Sequence, residues 1–311
     1  MLKKTYSRFN TVLFLLLSLY LIFLLLRYPV VSLQYASTGL ELWLTKMVPT
    51  LLPFMILSGI MIRMNLTSQF IGMLHPLLHR LFGTSKEGSY TVFMGFLCGF
   101  PMGARIVGEL YEKDAIDRSE AACLLSFCNN IGPIYFLSYV RKELSLGEGL
   151  LECLIMYGIP LLYGIVLCRF RKYPEAVKKA CEKPAEGKVP LLKAVDDSIV
   201  SGLFAMAKLG GYMIFFNLLN ILFEPFTHVP QSLLAFYNCL LEITSGIHRC
   251  GIDHRFLVLI LLPFGGFSCI AQTYSMINGT DLSFSRYVFH KLLQTALTAC
   301  VYAACVLCGV L

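Results

Sequence analysis

The sequence predicts an all-α polytopic membrane protein of two inverted pseudo-repeats, with Gly/Pro-broken re-entrant hairpin helices in each half and a peripheral helix at the N-terminus. Three observations lead there. Of 311 residues, 57% are hydrophobic and only 14% charged, with a mean hydropathy of +0.68. A soluble domain is nearer half apolar and a quarter charged, so a soluble globule is excluded, as are disorder, a coiled coil and a collagen-like fibre. Second, much of the +7 net charge is local. Third, glycine, proline and polar interruptions fall in the same order in both halves.

Charge sets the orientation. Lys3, Lys4 and Arg8 precede the first apolar run, and residues 169–193 hold eight basic residues against three glutamates. Both stretches are expected in the cytoplasm, because short basic loops stay on that side. The basic stretch has membrane on both sides and no aromatic interleaving, so it is read as topology and no nucleic-acid partner is expected. The chain divides into an N-terminal membrane helix and connector (residues 1–40), a first membrane half (41–168), the basic cytoplasmic loop (169–193) and a second membrane half (194–311).

Residues 12–26 form the first apolar run. A basic flank and short apolar core resemble a secretory signal, but no convincing small-residue cleavage position follows, so the helix is retained. Residues 43–62 predict a span interrupted by Pro49 and Pro53, and residues 150–167 a clean span ending in the basic loop. An even number of crossings between the two cytoplasmic markers then requires a net odd number over residues 90–140. At least one apolar segment there is not a plain spanning helix.

The residues agree with that count. GFLCGFPMGAR (residues 95–105) spaces Gly95, Gly99 and Gly103 by four around Pro101, ahead of Arg105. Proline removes a backbone donor and clashes with the preceding turn, so a helix should break near Phe100. The same spacing also reads as a close helix–helix packing face. SFCNNIGP (residues 126–133) then puts Asn129, Asn130, Gly132 and Pro133 inside an apolar segment. Unsatisfied amides in hydrocarbon cost several kcal/mol, so these two either cap broken helix ends or face a ligand.

The second half repeats the order. Residues 198–223 carry Lys208, Gly210, Gly211, Asn217 and Asn220; residues 232–247 end in EITSG, with Glu242, Thr244 and Gly246. Residues 256–277 contain PFGGFSCIAQ, with Gly265, Gly266, Ser268 and Gln272, and residues 287–311 close the chain as a plain span. Broken apolar segments at corresponding positions of two halves point to a transporter-type site between them. With the first helix peripheral, each half crosses an odd number of times and the C-terminus lies outside.

The chemistry on offer is limited. There is no phosphate-binding GxxxxGK[ST] loop, no HExxH and no GxGxxG after a strand pattern. Ser268 with His290 faintly resembles an intramembrane serine protease, but Cys269 stands where a glycine is usual and His290 lies in a plain span, so no enzyme is expected. His75 and His79, four apart, sit in an amphipathic, interfacial stretch and are read as structural; no metal or cofactor is expected. The twelve cysteines are scattered, mostly in apolar runs, as small hydrophobes. Of the intramembrane charges, Arg105 and Glu109 are spaced to pair with each other. Glu242 has no basic neighbour in sequence, and its expected donors are the amides of Asn129, Asn130 and Gln272.

Assembled in order, LLPF (51–54), GFPMGA (99–104), NNIGP (129–133), EITSG (242–246), and GGFS (265–268) with Ala271 and Gln272 resemble the YlbJ family of sporulation integral membrane proteins. That family lies within the nucleoside recognition (Gate) domain group. The resemblance runs from about Met47 to the end of the chain, with Met102 and Ile131 standing where such proteins often have serine. The wider group takes in membrane parts of ferrous-iron transporters and, by similarity, concentrative nucleoside transporters with paired re-entrant hairpins. It implies a transport or gating role in spore formation. The expectation is therefore passage or recognition of a small polar solute, with a nucleoside-like one among the candidates. Asn129, Asn130, Glu242, Thr244, Ser268 and Gln272 would bind it. Gly99, Pro101, Gly103, Gly132, Pro133, Gly246, Gly265 and Gly266 would form the helix breaks. The alternative is a non-transporting component of a sporulation membrane complex, with the bilayer, a second copy or other sporulation proteins as partners.

Overall fold

The computed structural model describes residues 2–170, 189–226 and 228–309, with the backbone alone for residues 2–10. Most of the predicted basic loop, including Lys183, and the C-terminal Leu311 lie outside the described residues. The described residues build helices and turns and no strand. Five helices are long and apolar enough to cross a membrane.

From Thr11 on, helix α1 (Leu2–Arg27) exposes most of its apolar side chains, and its main contacts are with residues 29–42 and 219–223. Helix α2 (Pro29–Arg63) is continuous through Pro49 and Pro53. One wider helical turn at Trp43–Met47, just ahead of Pro49, absorbs the disturbance that proline causes. The expected division at residue 40 therefore falls inside a helix. The amphipathic α3 (His75–Phe82) follows and stops at Gly83, which adopts the left-handed conformation (φ 67°).

Then come α4 (Lys86–Cys98), capped by Ser85 whose hydroxyl accepts the Gly88 N–H at 2.9 Å, and α5 (Met102–Glu112). Asp117 caps α6 (Arg118–Phe127) in the same way, through the Glu120 N–H at 2.8 Å. Helix α7 (residues 133–143) starts at Pro133, the position where a missing N–H costs nothing, and passes through another wide turn at Phe136–Val140. Helix α8 (Leu150–Phe170) ends the first half.

The second half opens with α9 (Leu191–Phe223), which begins earlier than the hydropathy pattern indicates. It lies along α2, and small residues allow the approach. Gly210 packs under the Trp43 ring and Gly59 against Ser198, while the Trp43 indole donates to the Met206 carbonyl at 2.9 Å. Lys208, expected inside the membrane domain, lies on the exposed face of α9, 4.9 Å from the Phe204 ring. Helices α10 (Gln231–Leu241), α11 (Ile243–Cys250), α12 (Arg255–Leu261), α13 (Gly266–Ile277) and α14 (Phe284–Leu307) complete the chain.

The broken elements sit in the middle. In the most apolar 18 residues of Ile252–Ile277, which contains α12 and α13, 72% of the residues are buried, against 22% in the corresponding parts of α8 and α14. Plain spans therefore form the outer, lipid-facing layer around the interrupted segments. Helix α4 packs on α5 beyond its break, and α10 packs on α11 beyond its own.

Candidate functional site

Four breaks in the helical backbone meet at the centre, and glycines let them touch. The first, at residues 99–101, opens at Gly99 (φ 87°). The second, residues 128–132, crosses it directly. A Cβ on Gly132 would stand 2.6 Å from the Cys98 carbonyl oxygen, and one on Gly99 2.8 Å from the Gly132 Cα. Gly95 and Gly103 close on the Cys128 carbonyl in the same way. The four-residue glycine spacing is thus a packing face and a break at once.

Glu242 forms the third break. It is extended (φ −147°, ψ 109°) and serves as the C-cap of α10 and the N-cap of α11. The fourth, residues 262–265, ends in the left-handed pair Gly265 (φ 75°) and Gly266 (φ 78°). A Cβ on Gly266 would come within 2.9 Å of the Cys239 carbonyl and 3.2 Å of the Ile243 nitrogen, so the third and fourth breaks also cross. Phe100 joins the two pairs, because its ring lies 3.3 Å from where a Gly265 Cβ would be.

Two of the expected break residues do something else. Gly103 lies inside α5 and Gly246 inside α11. Each is small because backbone passes over it, the Cys128 carbonyl at Gly103 and the Cys239 main chain at Gly246.

Each asparagine serves one helix end. Asn129, fully buried, accepts the Ala104 N–H at 3.3 Å on the first turn of α5 and donates to Thr273 (2.8 Å) and to the Tyr287 hydroxyl (3.0 Å). Asn130 donates to the Phe127 carbonyl at 2.6 Å, closing the end of α6. Its side-chain oxygen accepts from Lys291 Nζ at 2.9 Å. Lys291 is fully buried, also donates to Gln294 at 3.3 Å, and lies 4.8 Å from the centre of the Phe100 ring. Gln294 completes the set by donating to the Ser126 carbonyl at 2.7 Å.

Glu242 is 1% exposed. Its carboxylate accepts the backbone N–H groups of Thr244 (3.1 Å) and Ser245 (2.7 Å), and the Asn217 amide at 3.4 Å. The donors expected for it, Asn129, Asn130 and Gln272, are engaged elsewhere. The physical reason is local: a helix start just after Glu242 offers unpaired N–H groups and a positive dipole end, the most accessible partners for a carboxylate. Gln272 instead donates to the Ser268 hydroxyl at 3.0 Å, one turn away on α13. Thr244 gives its carbonyl to the Tyr139 hydroxyl at 3.2 Å.

Glu242, Thr244, Gln272, Gly265, Phe100 and Tyr135 line a cavity of about 40 Å³ between the breaks. That is room for a few water molecules. Ser268 and Asn129 are buried beside it without lining it. Arg105, also buried, pairs with Glu109 at 2.7 Å, as the i, i+4 spacing indicates, and donates to Ser201 at 2.7 Å. Ser268 and His290 do not come together, since the His290 ring bonds the Tyr163 hydroxyl. His75 and His79 turn to Ser89 (2.9 Å) and to the Thr84 carbonyl (2.8 Å).

Lys291, Gln294, Tyr287, Thr273 and Asn217 complete the network and were not singled out from the sequence as site residues. A signal for three of them existed. Tyr287, Lys291, Gln294 and Thr298 recur every three or four residues along an apolar span, and all four are buried. Such a stripe marks one polar helix face turned inward.

Site and fold together define the class: a multi-pass membrane protein whose polar centre is assembled from broken helices. Residues 44–145, which include the first two breaks, match the Gate family model, described as nucleoside recognition. The chain is 28% identical to the sporulation integral membrane protein YlbJ of Bacillus subtilis (strain 168), over 96% of its own length and 82% of that protein. The resemblance carried by the broken segments is borne out in both. No solved structure matches it.

Proposed function

We propose that the protein is a transporter-like gate that recognises or passes a small polar solute through the centre where the four breaks cross, without covalent catalysis. The observation that carries this is the pair of buried ionisable side chains, Lys291 and Glu242, held beside broken backbone. A charge inside a membrane domain is costly and is usually retained for a pathway or a ligand. In this account α4 with α5, and α10 with α11, are re-entrant hairpins. The halves are then inverted repeats in the order span, hairpin, broken crossing, span. The mutual packing of α4 on α5 and of α10 on α11 supports it. The N-terminus is then cytoplasmic and the C-terminus outside. Asn129 and Asn130 act as hinges of the gate, and Glu242, Thr244 and Gln272 meet the solute, with Ser268 supporting Gln272. A cavity of about 40 Å³ is a closed state, so a nucleoside-sized solute requires the breaks to part.

One observation favours a second reading, a non-transporting scaffold. Asn129 and Asn130 cap the ends of α5 and α6 and tie them to Thr273, Tyr287 and Lys291, the work that a purely structural amide pair would do. The Bacillus relative is named for sporulation, so a sporulation membrane complex, with homo-oligomers or other sporulation proteins as partners, is the setting for either role. Uptake into proteoliposomes with a panel of nucleosides and cations separates the two. Saturable uptake lost in Lys291→Met is the expected result. No uptake of any probe by a folded, inserted protein leaves the scaffold.

A further inference from the structure

A second, larger cavity opens away from the centre. Between α6, along its length, and the first two turns of α14 lies a cleft of about 420 Å³, lined among others by Arg118, Ser126, Ser283, Arg286, Tyr287 and His290. Both helices begin at its mouth. Ser283 caps α14 by accepting the Arg286 N–H at 3.4 Å, so the positive end of a 24-residue helix faces the opening.

Basic side chains outnumber acidic ones along the cleft, where the carboxylates at the mouth are Asp281 and the α6 cap Asp117. At the mouth Arg118 is paired with Asp281 at 2.9 Å, and Asp281 also accepts from the Tyr111 hydroxyl at 2.7 Å. Arg286 is exposed and has no ion pair among the described residues. His290 is bonded to Tyr163. The floor is the outer side of the central network, for the Tyr287 hydroxyl holds Asn129 and the Ser126 carbonyl holds Gln294. The next charge inward is Lys291. A solute travelling from mouth to centre therefore meets three basic side chains and two carboxylates, one shared by an arginine and a tyrosine and the other engaged as the cap of α6.

A neutral solute has no use for that arrangement. An arginine fork beside a helix start suits a phosphate group, which takes charge-assisted hydrogen bonds from both. We propose that this cleft recognises a phosphomonoester and delivers it to the Asn129–Lys291 network, so that the solute of the central site is anionic. The delivery step rests on the gate function proposed above; phosphate recognition does not. The phosphate can belong to a free solute such as a nucleoside monophosphate or to the phosphatidic acid headgroup at the membrane surface.

The test uses the full chain in nanodiscs of zwitterionic phosphatidylcholine, with AMP, adenosine and inorganic phosphate as probes and thermal unfolding as readout. AMP is expected to raise the Tm in a saturable way, inorganic phosphate to compete, and adenosine to do neither. Arg286→Gln should weaken AMP at least tenfold and Arg286→Lys less. Arg118→Gln, at the opposite lip, gives a second, independent loss. Equal stabilisation by AMP and adenosine, or AMP binding untouched in Arg286→Gln, overturns the proposal. Replacing half the lipid by phosphatidic acid, whose headgroup is a phosphomonoester, identifies the source. Arg286-dependent stabilisation by that lipid, with AMP inert, keeps the phosphate site and overturns the delivery of a solute. AMP binding that survives Lys291→Met while uptake is lost supports the delivery route. AMP binding with no uptake of any probe refutes the gate function and leaves the cleft standing.

Discussion

Lys291 Nζ lies 2.9 Å from the side-chain oxygen of Asn130, fully buried, and no carboxylate pairs with it among the described residues. One residue on the last span thus holds the break in the first half of the chain. It donates to Asn130 and Gln294 and lies 4.8 Å from the centre of the Phe100 ring, so its hydrogen-bonding contacts are to neutral groups. A lysine in a membrane interior costs about 2.5–3.5 kcal/mol on insertion scales.

Lys291→Met tests what that cost sustains. Removing the charge relieves the penalty, but the two acceptors it leaves orphaned cost about 1–3 kcal/mol each. These effects oppose each other, so the thermal midpoint in detergent should move by only a few degrees. Complementation of a deletion strain should nevertheless fail. Full complementation by the Lys291→Met variant, at normal protein levels, assigns Lys291 to packing alone.

Glu242→Gln keeps shape but replaces one acceptor oxygen by an NH₂ group. Because both oxygens accept backbone N–H groups, one of those bonds is lost, at about 0.5–1.5 kcal/mol net. The protein should remain folded and inserted, and should not complement the deletion. Normal complementation would show that Glu242 is only a helix cap.

The glycines separate by what surrounds them. Ala at Gly99 or Gly132 drives a methyl group into the opposing backbone, and overpacking of this kind costs about 1–3 kcal/mol. Gly99 carries the further strain of a positive φ. Gly158 and Gly211 lie within helices with nothing near the missing Cβ, so Ala there should stabilise by about 0.5–1 kcal/mol. Thermal melts of the four variants should fall into two groups of opposite sign, and a uniform response contradicts the crossing of the breaks.

Topology is checked by single cysteines in a cysteine-free background. Labels at Lys183 should react from the cytoplasm and labels at Leu311 from outside. Both positions on the same side means the second half crosses an even number of times, which rules out inverted halves.

Much of the fold was legible because its causes are local. Apolar length located the spans, proline and glycine located the breaks near residues 100, 132 and 265, and the Arg105–Glu109 pair follows from one helical turn. Continuity of α2 through Pro49 was not legible. A wide turn at Trp43–Met47 decides it, and nothing in the residue pattern requires one. The site was half legible. Asn129, Asn130 and Glu242 stand out because a polar group in hydrocarbon must find a partner, yet the sequence cannot say which.

By itself, then, the sequence determined that the chain lives in a membrane, that its helices break near residues 100, 132 and 265, and that Asn129, Asn130 and Glu242 are forced to find partners in the interior. Those follow from hydropathy and backbone sterics, which act over one or two turns. Only the tertiary structure decided the pairing. Glu242 turned to its own helix start, while Asn130 was met by Lys291, 161 residues away. Hydrogen bonding needs contact at about 3 Å, and which segments come that close is fixed by how glycine-lined backbones cross.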